Sequence, residues 1–278
     1  MHFPHRLQGF SRVNWLLAGL LATTIAVHIG IASIRNPVGP QFGETIHGVT
    51  PETTINPGEL RVAAYNIRRG KGLDDRRDLD RIKANLQGFD IIGLNEVGGA
   101  FWPLADQAEV LGTALGMGWQ FTPAQRRWYI DYFGNALLSR LAPDSWQSLP
   151  LLYDLKKGTG HRHLQIFAFN WQSTPFQLLV LHAERGDIRD TQIRTAMTEF
   201  VRHPHAILMG DFNALPESEI MTSIVSRPDI TSVLDEQAAA GHIDWILVRG
   251  FRVLEAGILP AGASDHPLIW ATLDLATP

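Results

Sequence analysis

The sequence predicts an α/β domain built on a sizeable sheet, preceded by an apolar segment directed to a membrane. Three observations predict it. Apolar runs of strand length recur from about residue 60 to residue 275, helical periods interrupt them, and polar side chains gather at the ends of the runs. The 278 residues suffice for one large domain with an appendage. With 45% hydrophobic and 19% charged residues there is enough apolar material for a core, which excludes wholesale disorder. The chain has no cysteine, so disulfide scaffolds, thiolate zinc sites, iron–sulfur clusters and thiol nucleophiles are excluded. Any metal must sit on oxygen or imidazole. The formal charge of −4 lacks the basic bias of a protein held to nucleic acid by phosphate attraction. It leaves room for an enzyme that meets phosphate locally, through a metal.

Trp15 to Ile34 is an uncharged apolar run of about 20 residues, the length that spans a bilayer as a helix. Arg6 and Arg12 precede it and Arg35 follows, a bias that favours an N-terminus inside and the remaining chain exported. An uncleaved anchor is the leading reading. The alternatives are a cleaved signal, with Gly30, Ala32 and Ser33 as small residues near a cleavage point, and a buried core helix. Residues 36–59 carry Pro37, Pro40, Pro51 and Pro57 and read as an extended linker. The organisation expected is therefore a signal or anchor over 1–35, a linker over 36–59 and a domain over 60–278. That domain would lie in the periplasm or outside the cell, anchored or secreted.

Within the domain, RVAAYN (61–66) reads as a strand. Leu79, Ile82 and Leu86 give 78–88 a helical face. DIIGLNE (90–96) is an apolar run suited to a strand buried on both faces. Pro103 and Gly116 fit the first turn and C-terminal cap of a second helix. Strand-like runs follow at 134–139, 163–170, 176–182, 206–211, 244–248 and 267–273, with helices expected at 189–203 and 216–226. One long sheet and two face-to-face sheets both fit.

The functional signal lies at the strand ends. Asn66 closes one run, Glu96 ends DIIGLNE, and His182 ends FQLLVLH. Asp211 and Asn213 end AILMGDFN, Asp244 opens DWILV, and Asp265 and His266 precede PLIWATL. Any one of these has an ordinary reading as a turn or cap residue. Together, buried polar groups at strand ends are costly unless they pair or bind a cation, so one shared site is expected. Its eight members are three Asp, one Glu, two Asn and two His, a hard donor set that suits Mg²⁺ or Mn²⁺. There is no GxSxG elbow, P-loop or dinucleotide fingerprint.

YNIRRG, GLNEV, YFGNALLSR, the strand ending in His182, MGDFNA, HIDWILV and SDHPLI occur in the order seen in the endonuclease/exonuclease/phosphatase superfamily, which the chain resembles over about 60–275. The pair GDFNA and SDHPLI is highly specific in this order. The resemblance implies a four-layered α/β sandwich, two packed β-sheets flanked by helices, with a metal site at one sheet edge. It implies Glu96 as main metal ligand, with Asn66 and Asp265 close to the metal or its waters. Asp244 would orient His266 as general base, Asp211 would position the attacking water, and Asn213 and His182 would bind phosphate oxygens. Arg68 stands where abasic-site endonucleases have an acidic residue, and Asn95 replaces the glutamine usual before the metal glutamate.

The function this implies is metal-dependent hydrolysis of phosphodiesters by an exported or anchored nuclease. The alternative is a phosphodiesterase or phosphatase for lipid head groups, which an anchor would suit. A catalytically dead binding module is disfavoured by the intact polar set. The expected partners are a phosphodiester substrate and a membrane, with nothing that calls for a protein partner. Arg68, Arg69, Lys71, Arg76 and Arg77, together with Arg162 and His163, are candidate phosphate contacts. Trp128, Tyr129, Tyr132 and Phe133 are candidate stacking or lipid-touching residues.

Overall fold

The computed structural model describes residues 12–33, 35–48, 58–99, 105–127, 131–154 and 160–276. Two seven-stranded sheets form the domain. In the first the strand order is β1 (Arg35–Pro37), β5 (Gly118–Arg127), β6 (Asp131–Ser139), β4 (Ile91–Gly98), β3 (Leu60–Asn66), β14 (Leu268–Leu275) and β13 (Phe251–Leu259). In the second it is β11 (Thr231–Ser232), β12 (Asp244–Arg249), β10 (Ala206–Asp211), β9 (Thr174–His182), β8 (His163–Trp171), β7 (Ser145–Pro150) and β2 (Gln41–Gly43). Among the described residues, only β3–β4 and β9–β10 pair in parallel.

The period of two in the strands builds the layers. In β3, Val62 and Ala64 face the core between the sheets, whereas Ala63 and Tyr65 face an outer core with Ile82 and Leu111. Those two residues belong to α2 (Leu79–Asn85) and α3 (Gln107–Leu115), which cover the first sheet. On the second sheet, Ile193, Ala196 and Phe200 of α4 (Arg189–Phe200) and Ile220 and Ile224 of α5 (Glu219–Val225) cover the outer side. The result is helix, sheet, sheet, helix, the layering implied by the resemblance. Gly93 is needed where the sheets meet, because a Cβ there would lie 2.7 Å from Met209 Sδ.

The helices are shorter than their sequence periods. Asp78 caps α2 by accepting from the backbone N–H of Asp80 and Arg81, and Leu86 already leaves helical geometry. Asp106 caps α3 and Gly116 ends it in the left-handed conformation, so the helix starts after Pro103, which lies outside the described residues. Strands β5 and β13 were not legible: β5 contains Pro123, and β13 is a half-exposed edge.

The linker expected over 36–59 requires correction. Residues 35–48 are part of the fold. β1 pairs with β5 and β2 pairs with β7, so this segment straps the edges of both sheets. Val38 N–H donates to Ala124 O, Val38 O bonds His163 Nε2, His47 bridges to Trp119, and Ile46 is buried in the core. Proline fits here because edge strands leave one side of the backbone unpaired. Residues 49–57 lie outside the described set. Before the strap, α1 (Arg12–Ser33) presents an exposed apolar surface, and its Val13–Gly30 window, of mean hydropathy 1.6, is long and apolar enough to cross a membrane.

A chain beginning at Arg35 is therefore expected to be more stable than one beginning at Leu60. Losing a buried Ile and the strap's backbone bonds costs about 3 kcal/mol, or about 6–12 °C in melting temperature for a domain of this size. Thermal denaturation of the two chains checks this; equal melting temperatures would restore the tether reading.

Candidate active site

All eight expected residues lie at one edge of the sandwich. β3 and β4 deliver Asn66 and Glu96 at or near their C-terminal ends, and β9 and β10 deliver His182 and Asp211. β12 begins with Asp244, and β14 starts just after Asp265 and His266. Asp211 is the centre. Its Oδ2 accepts from Asn66 Nδ2 at 3.0 Å and lies 3.5 Å from His182 Nε2 and 3.8 Å from His266 Nε2. Its Oδ1 accepts from the Asn213 backbone N–H at 2.9 Å. His266 Nδ1 meets Asp244 Oδ2 at 2.8 Å, the shortest contact in this group. Asp211, Asp244, Asn66 and His182 are buried.

The local backbone is shaped for this. Gly210 has φ 127°, and a Cβ there would sit 2.1 Å from Leu181 O and 2.8 Å from Asn95 Oδ1. Only glycine brings Asp211 this close to the neighbouring strand and the facing sheet. Glu96 has φ 55° at a bulge between Leu94 and Val97, which frees its side chain from the strict alternation of β4. Asn213 is also left-handed at φ 49°. Such positions in non-glycine residues are costly and cluster at functional sites.

Burial and mutual repulsion set the charges. Burial, then the Asp244 carboxylate, pushes Asp211 up to about 6, with the His266 charge opposing. Burial also raises Asp244, opposed by its hydrogen bond to His266. For His266, burial alone would depress the pKa. The bond to Asp244 and the charges of Asp244, Asp211 and Asp265 outweigh it and hold the imidazole at about 9. His182 is driven well below its ordinary value by burial and then by the Arg162 charge, so its ring is neutral. Arg162 approaches His182 Nδ1 at 3.5 Å, which fits a tautomer with the proton on Nε2, facing Asp211.

Glu96 and Asp265 flank the Asp211 cluster. Glu96 lines a polar cleft of about 350 Å³ with Arg69, Gln125, Phe133, Arg162 and Glu184. Asp265 is ion-paired with Arg68 at 3.3 Å and borders a groove of about 680 Å³ that also holds Arg185, Asp244, His266, Ile258 and Pro260. Asn66 accepts the Arg68 backbone N–H on its Oδ1, so its amide is fixed at both ends. Asn213 donates through Nδ2 to Ala183 O and accepts from Arg185 Nε. The basic run after β3 is largely tied to neighbouring acids, Arg68 and Lys71 to Asp75. Arg162 faces Glu184 at 3.3 Å and lies 5.7 Å over the Phe133 ring, whereas His163 is committed to Ser148 and Val38. Trp128 and Tyr129 lie outside the described residues.

Residues outside the expected eight complete the site. Asn95 Oδ1 accepts the Asp211 backbone N–H at 2.9 Å, while its Nδ2 donates to Leu181 O and Asn135 Oδ1. Asn135 Nδ2 in turn donates to His163 O. These buried amides join the two sheets beneath the cluster. A polar residue inside an apolar strand run, as in GLNE and GNALL, was the available signal.

Residues 63–266 match the Endonuclease/Exonuclease/phosphatase family. The chain belongs to this family. Its members are hydrolases that act on phosphoester bonds and are typically dependent on divalent metals. Among solved structures, an endonuclease/exonuclease/phosphatase from Beutenbergia cavernae is similar at TM-score 0.66 and 18% identity, covering 79% of this chain and 72% of that one. A family protein from Bacteroides thetaiotaomicron gives 0.59 and 20%, covering 80% and 97%. D. rerio TDP2 complexed with a single-strand DNA product gives 0.55 and 16%, covering 78% and 99%. At these identities the likeness is one of fold. No curated protein matches the sequence.

The donor chemistry fits a divalent cation. Four carboxylates, Glu96, Asp211, Asp244 and Asp265, converge at this edge, and the two buried ones are held above the usual carboxylate range, first by burial and then by neighbouring carboxylate charge. Ligand atoms of Asp211, Asp244 and His266 lie within 4.8 Å of one another. His266 Nδ1 is already bound to Asp244 at hydrogen-bond distance.

The His266 pKa sits above its unfolded value near 6.5. The stability it contributes is fully present below about 6.5 and is lost as pH rises through about 9. Asp211 is raised as well, so its contribution is present below about 3.8 and is lost as pH rises through about 6. Replacing Asp244 with Asn should bring the His266 pKa down in metal-free protein, because it removes the bond and charge that raise it. An NMR titration of the imidazole nitrogens reads this directly; an unchanged value would mean that Asp244 does not set it.

Proposed function

We propose that this chain is a membrane-anchored, divalent-metal-dependent phosphodiesterase whose water nucleophile is prepared by the Asp244–His266 pair. The observation that carries the reading is the 2.8 Å bond from His266 Nδ1 to Asp244, which leaves Nε2 facing Asp211 in the site. Glu96 and Asp265, with Asn66 beside Asp211, would hold the cation, which supplies charge neutralisation for the phosphoryl oxygens and the leaving alkoxide. Asp211, steadied by Asn66, Asn95 and Asn213, orients the water. With the carboxylate charge that holds the His266 proton offset by the bound cation, His266 would be neutral; it would then take the water's proton at Nε2, and Asp244 would stabilise the resulting imidazolium. Neutral His182 offers its Nε2–H toward the site, and Arg162 and Arg185 add positive charge on either side, where negative charge develops on the phosphate. Asn213, bound to Ala183 and Arg185, positions the latter. The exposed apolar surface of α1 supports the anchor and, with it, a domain held outside the cytoplasm by the arginine bias of the flanks.

A nuclease reading draws on the likeness to TDP2 and a lipid reading on the anchor. The purified chain should hydrolyse bis(p-nitrophenyl) phosphate with Mg²⁺ or Mn²⁺, lose that activity with chelator and regain it on adding metal. Glu96→Gln should lower turnover at least ~10²-fold, with a melting temperature unchanged or raised because one of four like charges is removed. Full activity after exhaustive chelation would contradict the proposal.

A further inference from the structure

The register of the first sheet places the membrane helix and the active site at the same edge. β1 begins at Arg35, which pairs with Arg127 at the C-terminal end of β5. Arg127 pairs with Asp131 at the start of β6, and β6 carries Phe133 opposite Gly98, two residues beyond Glu96 in β4. Following the pairings, the chain enters the domain at the edge where β3, β4, β9 and β10 end. Only residue 34 separates Ser33, the end of α1, from Arg35. Two Cα steps span at most about 7.6 Å, so the edge at which the chain enters the domain stays close to the end of the helix. Three strand spacings separate β1 from β4, about 14 Å, and Asp131 projects three residues, about 10 Å, past Gly134, the level of the Glu96 bulge.

An independent observation falls on the same edge. The strand-connecting loops there carry exposed leucines. Leu73, 63% exposed, lies in the loop after Asn66 and donates its N–H to Gly262 O, close to Asp265. Leu152, 61% exposed, follows Leu151, whose N–H bonds Arg162 O. Leu215, also exposed, lies two residues after Asn213. Exposed leucines on three separate loops of one rim offer side chains that a lipid interface would accept.

We propose that this rim rests on the bilayer that holds α1, and that the substrate is a phosphodiester of a lipid in that bilayer, entering head group first. This rests on the phosphodiesterase reading and narrows its substrate class. The geometry suits it: by the register, the Glu96 bulge lies about 10 Å below the level at which the helix joins the domain. The groove beside His266 is walled by Ile258 and Pro260 rather than by a stripe of cations.

The test uses the full chain in phosphatidylcholine–phosphatidylglycerol vesicles. With no native cysteine, Leu73→Cys, Leu152→Cys, Leu215→Cys and, as a control on β13 five residues back from its rim-side end at Leu259, Leu254→Cys each take a single environment-sensitive fluorophore. The three rim labels should shift to the blue and be quenched by spin-labelled lipids, and the Leu254→Cys label should not. In unlabelled protein, the triple change of Leu73, Leu152 and Leu215 to Ser should lower hydrolysis of vesicle phosphatidylglycerol at least ten-fold while leaving soluble bis(p-nitrophenyl) phosphate turnover within two-fold. Rim labels as water-exposed as the control would overturn the proposal. So would hydrolysis of an added single-stranded oligonucleotide with the vesicle lipid untouched. Loss of turnover on the soluble ester in the unmodified protein would instead fault the phosphodiesterase reading.

Discussion

The structure depends on the junction at Asp211, where two β-sheets are tied by buried polar bonds rather than by apolar contact alone. Its carboxylate takes the Asn66 amide of the facing sheet, and its backbone N–H is accepted by Asn95 of that same sheet. Asn95 also reaches back to Leu181 in the second sheet and to Asn135 beside it. Each of these groups would be expensive to bury without a partner. Because every partner comes from a different strand, satisfying them fixes the relative position of the sheets at this edge. Gly210 is part of the same constraint, since a side chain there would strike both Leu181 and Asn95.

That junction also creates the site's electrostatic tension. Asp211 and Asp244 are drawn together in a dry place where neither ionises readily, and His266 responds by holding its proton more tightly. The metal-free domain thus carries a cluster whose charge is incompletely balanced, with Glu96 and Asp265 adding more at its margins. A divalent cation would relieve the repulsion, as the proposed chemistry requires. The arrangement costs stability in the empty protein, as functional sites commonly do.

Much of this could be read in the chain because strand ends carry their own signature. Where a run of Leu, Ile and Val ends in His182 or Asp211, the apolar period fixes the strand and the polar residue marks the edge. The amide bridge of Asn95 and Asn135 was less legible, since a single polar residue in a strand has no partner in the sequence. The strap of residues 35–48 was misread for a physical reason: prolines that mark a loop also suit edge strands, and a three-residue strand has too short a period to detect. Its pairing with β5, a matter of register, is what brings the chain into the domain at the edge that carries the site.

The central claim is that Asp244 and His266 act as one unit across this junction. The most direct measurement is a double-mutant cycle in turnover, with Asp244→Asn, His266→Ala and both together, at saturating Mg²⁺ on bis(p-nitrophenyl) phosphate. Each single change should cost ~10²–10⁴-fold, and the double variant should be little slower than the worse single one, because the Asp244 side chain acts through the imidazole. If the two losses instead multiply, Asp244 and His266 work independently and the assignment of the base is wrong.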